Sequence, residues 1–277
     1  MSSIKLVDCH THTVFSDGAS TLEENMEAAL GAGITTIACT DHWGKPDFID
    51  YSIKAKELSR YLSSVAELRN KYPSLEIVSG LEADWYSGCE ADLRTIRADF
   101  DGTKDHRPTF LLGSVHFLQE EPIDWDEHTD IWDELGTNAL WCFYAKEWCT
   151  AATSGLFDSM AHPDLPRLLS TKGYVPTIDL TPLYKEMAEA ARAGGVHVEI
   201  NTAGLIKGFN DFYPRKALLS EFFAAGVPLT VGSDAHLHTR IGANIEDAYR
   251  YARSVGYTSI DAPTQYGAWR SISIENL

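Results

Sequence analysis

Seven apolar, β-branched runs recur along this chain, and each ends in a polar residue of a type that binds metals or substrates. They are Ile4 to His12, Ile34 to His42, Leu75 to Glu82, Phe110 to His116, Phe157 to His162, Val196 to Asn201 and Val227 to His236. Each is about strand length, and most are too short for a helix. Helical patterns lie between them. Ser20-Thr-Leu-Glu23 reads as a capping box opening a helix to about Gly31. Lys54 to Lys71 carries apolar residues at helical spacing until Pro73 closes it. Asp126 to Ala152 reads as one helix, or two with a break near Gly136 to Asn138. Thr181-Pro182 reads as an N-cap and first-turn proline leading a helix to about Ala193, and Pro214 to Ala225 and Ile245 to Val255 complete the set.

Three of these helices end in glycine immediately before a strand: Ala32-Gly33, Ala193-Gly194-Gly195 and Ala225-Gly226. That junction, repeated, predicts an α/β fold with a parallel sheet buried on both faces. An open doubly wound sheet and a closed barrel both fit the alternation, so the polar residues decide. In an open sheet only the loops around a switch point share a site, whereas in a barrel every C-terminal strand end faces one mouth. Seven strand ends carrying chemistry favour the barrel. No linker or low-complexity tract divides the chain, so residues 1–277 read as one barrel domain.

The strand-end residues are His10, His12, Asp17, His42, Glu82, His116, His162, Asp234 and His236, six of the ten histidines among them. On a strand, alternation puts His10 and His12 on one face, where two imidazoles can converge on one ion. Imidazole and carboxylate without thiolate suit zinc, manganese or iron, and nine ligands exceed what one ion uses, so two or three divalent ions are implied. The five cysteines show no Cys-x-x-Cys spacing, and alternation turns Cys9 away from the histidine face, into the core. Forty acidic residues against 23 basic ones give a net charge of −17, which argues against an extended nucleic-acid partner. A small anionic substrate is compatible, because bound metal reverses the local sign. There is no signal-peptide core or membrane-length apolar run, and a cytoplasmic location is expected.

Taken together, His10-Thr-His12 with Ser16-Asp17-Gly18, Thr40-Asp41-His42, Gly80-Leu81-Glu82, Ser114-Val115-His116, Ala161-His162-Pro163-Asp164 and Ser233-Asp234-Ala235-His236 resemble the polymerase and histidinol phosphatase (PHP) superfamily of metal-dependent phosphoesterases. The resemblance spans essentially the whole chain. It implies a distorted (β/α)7 TIM-like barrel with the metal site at the C-terminal ends of the strands. It also implies one site of His10, His12, Glu82 and Asp234, a second of Glu82, His116 and His162, and a third of Asp17, His42 and His236, with Glu82 bridging. Val198-Glu199-Ile200-Asn201-Thr202, Arg167 and Arg240 make the chain most similar to the stand-alone histidinol-phosphate phosphatases. The implied reaction is hydrolysis of a small phosphate monoester, best L-histidinol phosphate, by water activated between the ions, with no organic cofactor. Nucleotides or other small esters form the first alternative. An amidohydrolase-like hydrolase follows, and then a metal module without catalysis.

Arg167 and Arg240 offer planar donor forks suited to phosphate, or surface ion pairs. Asn201 is placed to touch substrate or to cap the following loop, and Asp17, Asp164 or bound water to protonate the leaving oxygen. Trp43 and Trp85-Tyr86 are candidates for a stacking wall at the mouth. The aromatics between Trp125 and Trp148 read first as core, and His106, in the Asp99 to Pro108 loop, as solvated.

Overall fold

Apolar strands that alternate with glycine-terminated helices must bury both faces of a parallel sheet. The computed structural model describes residues 4–48, 50–98 and 107–277. Seven parallel strands follow one another in chain order: β1 (Leu6–Asp8), β2 (Ile34–Cys39), β3 (Glu76–Asp84), β4 (Phe110–Ser114), β5 (Ser159–Met160), β6 (His197–Asn201) and β7 (Leu229–Gly232). The chain then closes on itself beyond the ladder. The Cys9 amide donates to the Val231 carbonyl and the Asp234 amide to that of His10, each at 2.9 Å, and Thr11 bridges Ala235 in parallel. The result is a nearly closed seven-stranded α/β barrel, as the strand-end residues required.

β3 is the longest strand and holds two neighbours in succession. Thr36 to Cys39 of β2 pair with Glu76 to Ser79, after which Gly80 to Asp84 pair with Phe110 to Ser114 of β4. Gly80 stands at the change of partner. A Cβ there would lie 3.0 Å from the Phe110 carbonyl and 3.1 Å from that of Cys39, so both neighbours close in only because position 80 has no side chain. A short strand, His42–Trp43, then takes the place of β2 and pairs His42 with Glu82.

The helices are α1 (Leu22–Gly31), α2 (Leu58–Lys71), α3 (Glu90–Arg97), α4 (Asp130–Leu135), α5 (Thr137–Thr153), α6 (Thr181–Gly194), α7 (Lys216–Ala225) and α8 (Ile245–Val255). Each amphipathic helix buries one stripe. In α5 that stripe is Leu140, Trp141, Tyr144 and Trp148, so these aromatics are core, each worth about 1.5–3 kcal/mol of burial. Gly136, at φ 74°, breaks α4 from α5 where the sequence placed the break.

Some boundaries differ from expectation. The capping box is Thr21 with Glu24, one residue later than read, because Ser20 is occupied elsewhere, its Oγ accepting from the His238 amide at 2.8 Å. Thr181 is the first residue of α6 rather than its cap, and its amide donates to Asp179 Oδ1. β1 and β5 are far shorter than their apolar runs. α3 escaped notice because it is only eight residues long, with just Leu93 and Ile96 buried, too short a stretch to stand out in the sequence. A terminal antiparallel hairpin, β8 (Ser259–Pro263) and β9 (Trp269–Ser273), was also missed, and its Trp269 stacks on His197 with ring centroids 3.6 Å apart. Residues 99–106, with His106, lie outside the described residues. Among the described residues no helix is long and apolar enough to cross a membrane.

Candidate metal centre

The barrel turns strand ends that are distant in sequence into neighbours, and Glu82, near the end of β3, stands at their centre with 1% exposure. Its Oε2 lies 3.1 Å from His10 Nε2, 2.9 Å from His42 Nδ1 and 3.4 Å from His12 Nε2. Its Oε1 lies 2.9 Å from His162 Nε2 and 3.6 Å from His116 Nε2, and it accepts from Ser114 Oγ at 2.5 Å. Asp234 Oδ1 is 3.2 Å from His12 Nε2. Asp17 Oδ2 is 3.2 Å from His236 Nε2 and 3.7 Å from His42 Nε2. All nine strand-end residues are thus brought together.

Among the described residues three subsets place ligand atoms close enough to share an ion: His10, His12 and Asp234; His42, Glu82 and His116; and His12, Asp17, His42 and His236, so that His42 rather than His162 groups with Glu82 and His116. Whether such a set suits a metal can be judged from its unpaired atoms. His10 Nε2, both nitrogens of His12, His42 Nδ1, His162 Nδ1 and Glu82 Oε2 are buried without a hydrogen-bond partner among the described residues. Orphaned buried polar atoms are costly, about 1–3 kcal/mol each, and lone pairs crowding together unsatisfied are the donor set a divalent cation needs. The residues therefore fit metal.

Outer partners fix the rings. His10 Nδ1 lies 2.8 Å from Glu199 Oε1, and His116 Nδ1 lies 2.6 Å from Asp84 Oδ1. A carboxylate on the far nitrogen sets the tautomer and raises ligand basicity. Two further buried carboxylates tie the ligand loops down. Asp41 accepts from the Thr13 amide and hydroxyl and from Ser16, and Asp8 accepts from the Ser233 amide and hydroxyl and from the Gly242 amide. Asp234 (φ 54°) and His162 (φ 22°) have positive φ, uncommon for residues with a Cβ, so the local backbone is strained where ligands are presented.

The electrostatics of the metal-free centre are mixed. Burial works against charge on Glu82, but the imidazoles of His10 and His42 outweigh it and hold the carboxyl well below its usual range. Burial, reinforced by His236 and His42, pushes His12 down to about 3, so that ring is neutral and one of its nitrogens offers a lone pair. His116 moves the other way: burial opposes its charge, but Asp124, Asp84 and Glu82 lift it to about 10.

The centre opens into a cavity of about 200 Å³ lined by Asp17, His42, Glu82, His116, His162, Asp234 and His236 together with Tyr51, Phe117, Asp124, Trp125, Leu165 and Lys207. Several residues singled out in the sequence lie elsewhere. Arg167 and Asp164 are committed to each other at 3.1 Å, with Asp211 also on Arg167, and neither lines this cavity. Arg240 lines an adjoining compartment of about 160 Å³ that shares Lys207, Asp234 and His236. Asn201 caps its loop through the Ala203 amide and donates to Glu199 and Asp234. Trp43 donates to Asp92 and Trp85 to Glu147, and neither faces the cavity. Cys9 is buried in the core.

Sequence reasoning missed Asp84, Glu199, Asp124 and Lys207 as parts of the site. For the first two a signal existed, since period-2 alternation puts Asp84 on the side of Glu82 and Glu199 on that of Asn201. For Asp124 and Lys207, both in irregular segments, none did.

Residues 8–203 match the PHP domain family. A probable histidinol-phosphatase of Deinococcus radiodurans is 31% identical over 256 residues, covering 91% of this chain and 94% of that protein. A probable phosphatase of Acetivibrio thermocellus is 25% identical over 241 residues, covering 86% of this chain and 82% of that protein. Among solved structures, histidinol phosphate phosphatase of Lactococcus lactis, complexed with zinc, L-histidinol and phosphate, shares the fold with a TM-score of 0.78 at 19% identity, covering 95% of this chain and 98% of that one. With a metal-ready centre at the mouth of a seven-stranded barrel, and most of its length matched, the chain belongs to the PHP domain family.

Proposed function

We propose that this PHP-family metal-dependent phosphoesterase hydrolyses L-histidinol phosphate to L-histidinol and phosphate. The observation that carries the reading is the convergence of nine ligand-type side chains, with their unpaired buried nitrogens and carboxylate oxygen, at one centre, seven of them lining one small cavity. His10, His12, Glu82 and Asp234 would hold one ion, Glu82, His116 and His162 a second, and Asp17, His42 and His236 a third. Divalent ions supply neutralisation of the phosphoryl oxygens and a lowered pKa for water.

The chain's own residues do the rest. Lys207, the one lysine or arginine among the described residues lining the cavity, supplies a fixed cation where the phosphate would lie. Its Nζ is 3.8 Å from Asp234 Oδ2, which holds it at the rim of the centre. Glu199 and Asp84 keep His10 and His116 oriented. Of the side chains considered as proton donors, Asp17 faces the cavity and Asp164 does not. Two relatives support the specific substrate: the Deinococcus protein, by its name, and the Lactococcus structure, which holds L-histidinol and phosphate.

The test is phosphate release from L-histidinol phosphate, nucleoside monophosphates and sugar phosphates, using protein of measured metal content. A strong, metal-dependent preference for histidinol phosphate is expected. Equal or better turnover of nucleotides would reject the substrate but keep the reaction class. No release from any ester by fully loaded protein would move the weight to amide or ester hydrolysis, or to a metal module without catalysis.

A further inference from the structure

The cavity has two chemically different walls. One carries the ligand set and Lys207. The other adjoins it and carries Tyr51, Phe117 and Trp125 with Asp124, Tyr51 lying 5.1 Å from the His42 ring and the Asp124 charge reaching His116. Together with Phe48 the three rings form one aromatic cluster: Phe48 lies 4.8 Å from Phe117 and 5.6 Å from Trp125, and Tyr51 lies 6.2 Å and 6.3 Å from the same two rings. Aromatic faces attract cations through their quadrupole.

Within this wall Asp124 Oδ1 is buried and has no hydrogen-bond partner among the described residues. The other orphans at the centre belong to ligand-type residues, which metal would satisfy. Asp124 is not one of the nine; its charge reaches one of them, His116, but the His116 nitrogens face Asp84 and Glu82, which leaves the Asp124 acceptor for a different ligand. A carboxylate oxygen shut away from water beside aromatic faces is complementary to a protonated nitrogen.

We propose that Asp124 is the specificity-determining residue of the cavity, accepting a hydrogen bond from a protonated amine or imidazolium on the alcohol portion of the substrate while the phosphate sits at the metal wall. The proposal rests on the phosphoesterase reading, and assigns that reaction to zwitterionic phosphate esters, read at one end by charge on the metal side and at the other by Asp124.

The experiment compares native, metal-loaded protein with Asp124→Asn, which keeps size and removes charge. Two readouts are taken: kcat and KM for L-histidinol phosphate and for p-nitrophenyl phosphate, which has no cation, and calorimetric binding of L-histidinol, which has the cation and no phosphate. In the variant, the ratio of kcat/KM for histidinol phosphate over p-nitrophenyl phosphate should fall about tenfold or more, mainly through KM, and L-histidinol binding should weaken by a similar factor. Asp124→Glu, retaining the charge, should recover part of the binding. Equal loss on both esters would make Asp124 a structural residue and overturn the proposal, as would an unchanged ratio or unchanged L-histidinol affinity. Native protein that binds L-histidinol through Asp124 but hydrolyses neither ester would sustain cation recognition while sinking the phosphoesterase reading. Native protein that hydrolyses p-nitrophenyl phosphate and does not bind L-histidinol would do the reverse.

Discussion

Five imidazoles crowd the two oxygens of Glu82, and no other carboxylate in the centre is so placed. Glutamate reaches this point from β3, and aspartate, one methylene shorter, would leave its oxygens back toward the strand. Glu82→Asp and Glu82→Gln should therefore both lose metal, measured by elemental mass spectrometry, and lower turnover by roughly a hundredfold or more. Full metal content and rate in both variants would remove Glu82 from the bridging role. The nine strand-end residues were readable because His, Asp and Glu rarely punctuate apolar runs so regularly by chance. Their partners were not: His10 and Glu199 are 189 positions apart, and only the closed barrel brings them to 2.8 Å. Arg167 shows the complementary failure. Its chemistry suits phosphate, but Asp164 and Asp211 already occupy its donors.

At the scale of elements, the site depends on how closely β7 approaches the segment after β1. Gly232, the last residue of β7, faces His10 and Glu199; a Cβ there would collide with the His10 Cβ and the Glu199 carboxylate. Neither can retreat, since Glu199 also accepts from the His162 amide at 2.9 Å and His10 is buried against Glu82. Gly232→Ala should destabilise the chelated protein by about 1–3 kcal/mol in chemical denaturation, and should reduce metal content because His10 is displaced. An unchanged midpoint with full metal loading would show that the two strands have slack. The existence of the seven strands was readable from β-branched runs bounded by glycine, and their barrel order from the polar residues at their ends. Their ends were not. The run from Ile4 to His12 keeps its apolar pattern, but only Leu6–Asp8 stays in the ladder before the backbone turns its hydrogen bonds to β7. The terminal hairpin packs through Ile260, Ala262 and Ile272 in the core, through Trp269 on His197 and Phe110, and through Asp261 on His197 and Arg270 on Glu76, contacts that no local pattern announces.

Across the whole molecule, the centre draws on residues from His10 to His236, so closing the barrel and assembling the centre are one event, and metal binding is coupled to folding. The coupling has a definite sign in pH. In the metal-free protein His116 is lifted to about 10 and His236 to about 9, against an ordinary value near 6.5. For His236, burial opposes the charge, but the hydrogen bond to Asp17 and the charge of Asp234 prevail. A pKa raised by folding contributes stability that is complete below about pH 6.5 and is lost as pH rises through the folded value. The metal-free protein should thus weaken between about pH 6.5 and 10. A ligating imidazole must be neutral, so over the same window metal affinity rises as protons leave. At pH 7 loading must expel the protons of both imidazoles. Zinc or manganese titrations in two buffers of different ionisation enthalpy should show net proton release, and the Tm difference between loaded and chelated protein should widen as pH rises from 6.5 toward 9. Release of no protons at pH 7, or a Tm difference that narrows with pH, would mean that the carboxylates around His116 and His236 do not hold those rings charged before metal arrives.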